Sequence, residues 1–214
     1  MTGAQLKTMV DTILDDSIDD IFFYQLLNIA KNTLEDERTW QFLRKLDSSK
    51  TATGGDNSEV AIALPTDWRS TYKLMVGKDF KYIQVPFDEQ HIWRYTSSRF
   101  CIDVANSVFY LLGTIGASDT IYHYYIKTTN DIESGTEWVA PSRFHPILAF
   151  MVAGYYMNGV DADDIFARMS PENKIMAQTL KASMIAWDMK LQLEAQNDQI
   201  QIADAEVGID LGMM

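Results

Sequence analysis

The segment HPILAFMVAGYYMNG, residues 145–159, is apolar almost all the way round a helix. A helix without a polar face must be covered on every side, and this one falls short of the roughly 20 apolar residues a bilayer span needs. We therefore read it as the central helix of a folded body, with other helices packed on it. Its ends carry their own punctuation. Pro141 or Pro146 fits a first helical turn, where the missing N–H costs nothing, and Gly159 is placed to stop the helix.

Partner helices are readable on both sides. In LKTMVDTIL, residues 6–14, apolar residues recur at helical spacing, and the acidic run DDSIDD then breaks the pattern. Asp19 or Asp20 caps a second amphipathic helix, expected over about 21–45, with Phe22, Phe23, Leu26, Leu27, Ala30 and Leu34 on one face. After Gly159, VDADDIF predicts a short helix with Asp161 as N-cap. SPEN predicts a further helix start, with Ser170 as N-cap and Pro171 at the first helical position, and the helix runs to about Gln196.

Between these stretches the hydrophobic period drops to two. Residues 47–59, DSSKTATGGDNSE, read as a polar linker, and 60–64, 71–76, 80–85, 99–104, 107–113 and 120–126 read as strands. Turns are expected at Gly77–Lys78–Asp79, Ala105–Asn106 and Gly116–Asp119, with a short helix at 88–95. The final stretch, 197–214, alternates Ile200 and Ile202 with glutamine and scatters Val207, Ile209 and Leu211 among small and acidic residues. It reads as an extended tail, and these five apolar residues are its candidate contacts with a partner chain.

The expected fold is α+β. A helical bundle (1–46 and 139–196) carries an inserted small antiparallel β segment (47–138) and an extended C-terminal tail (197–214).

Charge narrows the function. Affinity for nucleic acid comes from Lys and Arg on phosphates, and this chain has 18 basic against 30 acidic residues, a net charge of −12. Tight DNA or RNA binding does not fit, although an acidic wall can let DNA pass without sticking. Cys101 stands alone, which rules out an internal disulfide and points to a reducing compartment. The first residues lack the basic flank and apolar core of a signal peptide.

Catalytic and metal motifs are missing. His91, His123 and His145 fall in separate segments with no metal-ligand spacing, and His145 reads as part of a helix start. Asp161, Asp163 and Asp164 lack the calcium-loop ladder, since Ile165 stands at its fifth position. No phosphate-cradling glycine loop and no nucleophile elbow occurs. No cofactor and no metal are expected, and a non-enzyme is. Two alternatives stay open: a glycan hydrolase using carboxylates such as Glu35 or Glu37, and a ligand-binding β module using the strand tyrosines.

The order of elements carries a resemblance. The stretches FYQLLNIAKNTLEDER, VAIALPTDWRSTYKLMVG, FHPILAFMVAGYYMNGVDADD and SPENKIMAQTLKASMIAWDMKLQLEAQ resemble, in pattern and order, the head-to-tail adaptor (connector) proteins of tailed bacteriophages, over about residues 20–196. The resemblance implies a structural virion protein, assembled in the host cytoplasm and placed at the head–tail interface. It implies a homo-oligomeric ring, typically twelve-fold, below the portal protein. Tail or nozzle proteins would dock on that ring, and genomic DNA would pass through its lumen unbound, with no membrane involved.

Overall fold

The structure is a computed structural model. It describes the backbone of residues 1–53, 55–56, 60–77, 80–115 and 118–209, and the side chains of 1–53, 60–77, 81–113 and 118–195. The chain divides into two compact units, Met1–Phe42 with Asn130–Met214, and Leu43–Thr129.

The first unit is helical. Helix α1 (Gly3–Leu14) starts on a capping box, in which Thr2 Oγ1 accepts from Gln5 N–H and the Gln5 side chain accepts from Thr2 N–H. Asp15 closes it in the left-handed region at φ 53°. Helix α2 (Asp20–Asp36) is capped by Asp19, whose carboxylate accepts from Phe22 N–H at 3.0 Å. Both pack on the fourth helix, α4 (Pro146–Asn158), and so does the fifth, α5 (Pro171–Ile209). In α4 every residue from Ile147 to Tyr155 is buried, and Gly159, at φ 90°, ends the helix. Gly154 lets the backbone of Ile165 approach so closely that a Cβ would stand 2.5 Å from its carbonyl oxygen. Asn158 Nδ2 locks the same crossing by donating to both Gly154 O and Ile165 O.

The second unit is a sheet with its own core. Its strands are β1 (Arg44–Thr51), β2 (Gly55–Asp56), β3 (Ile62–Ala63), β4 (Trp68–Val76), β5 (Phe80–Gln84), β6 (Arg99–Asp103), β7 (Val108–Leu112), β8 (Thr114–Ile115) and β9 (Thr120–Lys127). Seven form one sheet in the order β1-β9-β4-β5-β6-β7-β3, while β2 and β8 pair separately. Leu74, Val76, Phe100, Phe109, Leu111 and Ile121 make the centre of the core beneath it. The pairing of β5 with β6 is parallel, and the short helix α3 (Gln90–Trp93) lies in the connection. The other neighbouring strands are antiparallel.

The expected fold class needs correcting. The β part is no small antiparallel insert on a bundle. It is a mixed seven-stranded sheet with a hydrophobic core of its own. The parallel pair arises because residues 85–98 carry the chain across before β6, where a tight hairpin would have made the strands antiparallel. Helix α2 ends at Asp36, nine residues before its expected limit, and the edge strand Arg44–Thr51 takes the end of that expected helix and the first residues of the expected linker. The tail is not extended over 197–209, where the backbone continues α5.

Replacing Gly154 with Ala should lower stability by about 1–3 kcal/mol, because α4 and the Ile165 backbone would have to separate. Urea denaturation checks this, and an unchanged midpoint would contradict the close crossing.

Candidate functional site

Helix α5 is 39 residues long, about 58 Å at 1.5 Å per residue. Its orientation rests on one buried carboxylate. Asp188 is completely buried and accepts from the Gln41 N–H at 2.6 Å and from Gln192 Nε2 at 2.9 Å. Arg38 Nη2 lies 3.2 Å from Oδ2, the oxygen that also accepts from Gln192. A buried carboxylate is costly unless charge-assisted donors satisfy it, and three groups do so here. The stretch that supplies them is itself fixed: Trp40 Nε1 donates to Leu34 O at 2.7 Å, and the Arg38 guanidinium lies over the Trp40 ring. Farther along the unit, Trp187 packs on Phe144 with Arg143 over both rings. Ala177 and Met184 share the buried stripe with Asp188. On the opposite side, Ile175, Met189 and Leu193 are 64%, 51% and 59% exposed.

Apolar periodicity alone does not reveal this anchor, although the sequence carries a signal for it. Asp188 falls one helical turn after Met184, on an otherwise apolar stripe. An acid in that place needs buried donors.

The expected partner-contact residues fall at the far end of the same helix. Ile200, Ile202, Val207 and Ile209 lie within its helical backbone, and their side chains are outside the described residues, as is Leu211 altogether. Of the two expected caps, Ser170 starts α5: its Oγ accepts from Asn173 N–H at 3.3 Å, and its carbonyl accepts from Lys174 N–H. Asp161 starts nothing, because 160–169 is a run of turns and bends without a helix. Asp164 does the local work instead, accepting from Phe166 N–H and Lys174 Nζ. The lysine hydrogen bond holds the Asp164 carboxyl below its ordinary range.

Each buried histidine is packed into its own unit. His145 is 1% exposed; its Nε2–H donates to Ala140 O at 2.8 Å, and its Nδ1 lies 2.7 Å from the Met1 amino nitrogen. It belongs to the helix start, with no open face toward a substrate. His123, on β9, is wedged between the rings of Phe109 and Tyr125. Trp68 Nε1 donates to Thr71 Oγ1, which lies 2.7 Å from His123 Nε2. The other ring nitrogen, Nδ1, has no hydrogen-bond partner. Burial, with Lys50 nearby, pushes the imidazole down to about 4. A hydroxyl–imidazole pair of this kind has the outline of a nucleophile and base, but a buried, weakly basic ring makes a poor base. His91 is exposed.

The remaining chemistry is dispersed. Glu35 is buried and accepts from Trp138 Nε1 at 2.8 Å, while Glu37 pairs with Lys181, so the two carboxylates serve different contacts. Burial pushes the Cys101 thiol up to about 11, with Asp103 adding to it. Tyr72 and Tyr124 stand side by side on the sheet, covered by Arg44 and Lys73. An open cleft of about 510 Å³ lies between α2 and residues 131–134 in the helical unit. Asn28 is committed to its wall, bonded to both the N–H and the carbonyl of Ile132, and the lining holds neither histidine nor cysteine. Among the described residues no cluster could hold a metal ion, and no helix is long and apolar enough to cross a membrane.

No protein-family model matches the chain, and a search of curated proteins finds no match.

Asp188→Ala should lower stability by about 3 kcal/mol, since it strands the Arg38 charge and the Gln41 N–H. A loss below about 1 kcal/mol in urea denaturation would show that the carboxylate is not the anchor. His123 gives a pH signature. Its folded value lies below its ordinary 6.5, so the unfolded chain takes up the proton first. Its contribution is intact above pH 6.5 and is lost as pH falls toward 4, by about 3 kcal/mol in all. Asp47 acts lower. Burial opposes its ionisation, yet the Ser49 hydroxyl and N–H and Lys50 outweigh it and hold the carboxyl at about 2. His123→Gln should flatten the stability profile between pH 6.5 and 4, and an unchanged slope there would contradict the assignment.

Proposed function

We propose that this chain is a structural virion protein, a subunit of the head-to-tail connector ring of a tailed bacteriophage, and not an enzyme. The observation that carries the reading is the exposure of large apolar side chains on both compact units. On the helical unit they include Ile21 and Phe22 at the start of α2, 73% and 44% exposed. On the sheet unit, Ile83, Ile92 and Tyr95 are 54%, 62% and 83% exposed. A ring closed by head-to-tail contacts needs two different complementary surfaces on each subunit, and exposed apolar side chains on both units can supply them. The order of the elements supports the reading, with the β-rich unit inserted between α2 and α4 and the long α5 at the end.

In this reading the portal protein covers one surface and tail or nozzle proteins another. The net charge of −12 suits a lumen through which genomic DNA slides without binding. The carboxylates and buried histidines then have structural duties, holding helices and strands in place for assembly.

Quantitative mass spectrometry of purified particles from the source of this chain tests the proposal. The expected result is a copy number equal to the portal's, about twelve for a closed ring of the usual kind. Absence of the chain from particles would overturn it.

A further inference from the structure

Helix α5 presents two faces of different character. Its buried stripe, through Ala177, Met184 and Asp188, packs on its own unit. The opposite stripe repeats at alternating steps of four and three: Ile175, Thr179, Ala182, Ala186, Met189 and Leu193, all exposed. That spacing is the seam of a helix that packs lengthwise on another helix.

Two further features say what that other helix is. The first is charge. Between residues 175 and 193 the seam and its flanking positions contain no Asp or Glu, and Lys190 is their only charged residue. The carboxylate within that span, Asp188, points into the protein, and the next, Glu194, lies on the outer side paired with Lys190. Two copies of a chain with net charge −12 repel, so they can meet closely only where carboxylates are missing. This strip is such a place.

The second is symmetry. Laid antiparallel on itself about position 184, the seam pairs Ile175 with Leu193, Thr179 with Met189, and Ala182 with Ala186. Bulky layers then close both ends, and alanines meet at the dyad, where small side chains let two backbones come near. A surface that reads the same in both directions is what a two-fold contact requires. We infer that α5 of a second copy of this chain covers this face, in an antiparallel helix pair centred on Ala182 and Ala186.

The pairing does not depend on the connector reading, and the two fail separately. A dimer missing from virions would sink only that reading, and a chain found in virions but monomeric in solution would sink only this one.

The test is the molar mass of the full chain in solution, by light scattering on a sizing column at tens of micromolar. The wild-type protein should run at twice its 24.4 kDa, or at a higher even multiple. Leu193→Glu places a carboxylate in both end layers and should give the 24.4 kDa monomer with an unchanged far-ultraviolet circular dichroism spectrum, since Leu193 is exposed in the single chain. Met189→Lys should do the same and serves if the first variant fails to fold. Ala195→Glu, at an exposed position in line with Ala177, Met184 and Asp188 and so turned away from the seam, should leave the mass of the wild type. A monomeric or odd-numbered wild type, or folded seam variants that keep its mass, would overturn the inference.

Discussion

The helical unit turns on a carboxylate that cannot reach water. Once Asp188 is buried, donors must come to it, and they come from the stretch just after α2: the Arg38 guanidinium and the Gln41 N–H. That requirement explains why α2 stops at Asp36, although apolar residues continue at helical spacing beyond it. Continuing the helix would tie the Gln41 N–H to the helix's own carbonyls and leave the carboxylate short of a donor. The same contact sets the roll of α5. With Ala177, Met184 and Asp188 turned inward, the seam from Ile175 to Leu193 must face out.

The sheet unit solves a different problem. Its core is made by alternating strand residues such as Leu74, Val76, Leu111 and Ile121. The edge strand β1 has a polar sequence, RKLDSSKT, which suits a strand with one side open to pairing partners. His123 sits inside this unit as a neutral ring, oriented by Thr71, and its unpaired Nδ1 is a local cost set against tight packing with Phe109 and Tyr125.

Much of this was legible in the sequence, and the misses share physical causes. α4 was readable because a helix apolar on all sides has one place to go. The strands β4, β5, β6, β7 and β9 were readable because burial imposes a period of two. Most of β1 reads as linker because an edge strand need not be hydrophobic, and its pairing with β9 is a long-range fact that local composition does not carry. The tail reads as extended because Ile200 and Ile202 alternate with glutamine. Yet Gln, Ala and Glu are good helix formers, and elongating a helix already nucleated at Ser170 costs less than starting a new structure. Asp161 reads as a cap because its acidic neighbours imitate a first helical turn. Gly154 and Asn158 instead bind the Ile165 backbone, which holds that segment as turns. Asp188 escaped notice because its partners lie about 150 residues earlier in the chain, 147 for the Gln41 N–H.

The central claim is that the Arg38–Asp188 contact holds α5 in its rotational setting, and a double-mutant cycle measures it most directly. Stabilities of the wild type, Arg38→Ala, Asp188→Ala and the double variant would be compared by urea denaturation. The account predicts a coupling of about 2 kcal/mol, with the double variant less damaged than the sum of the two single ones. Additive losses, with coupling near zero, would contradict it and show that packing alone sets the helix.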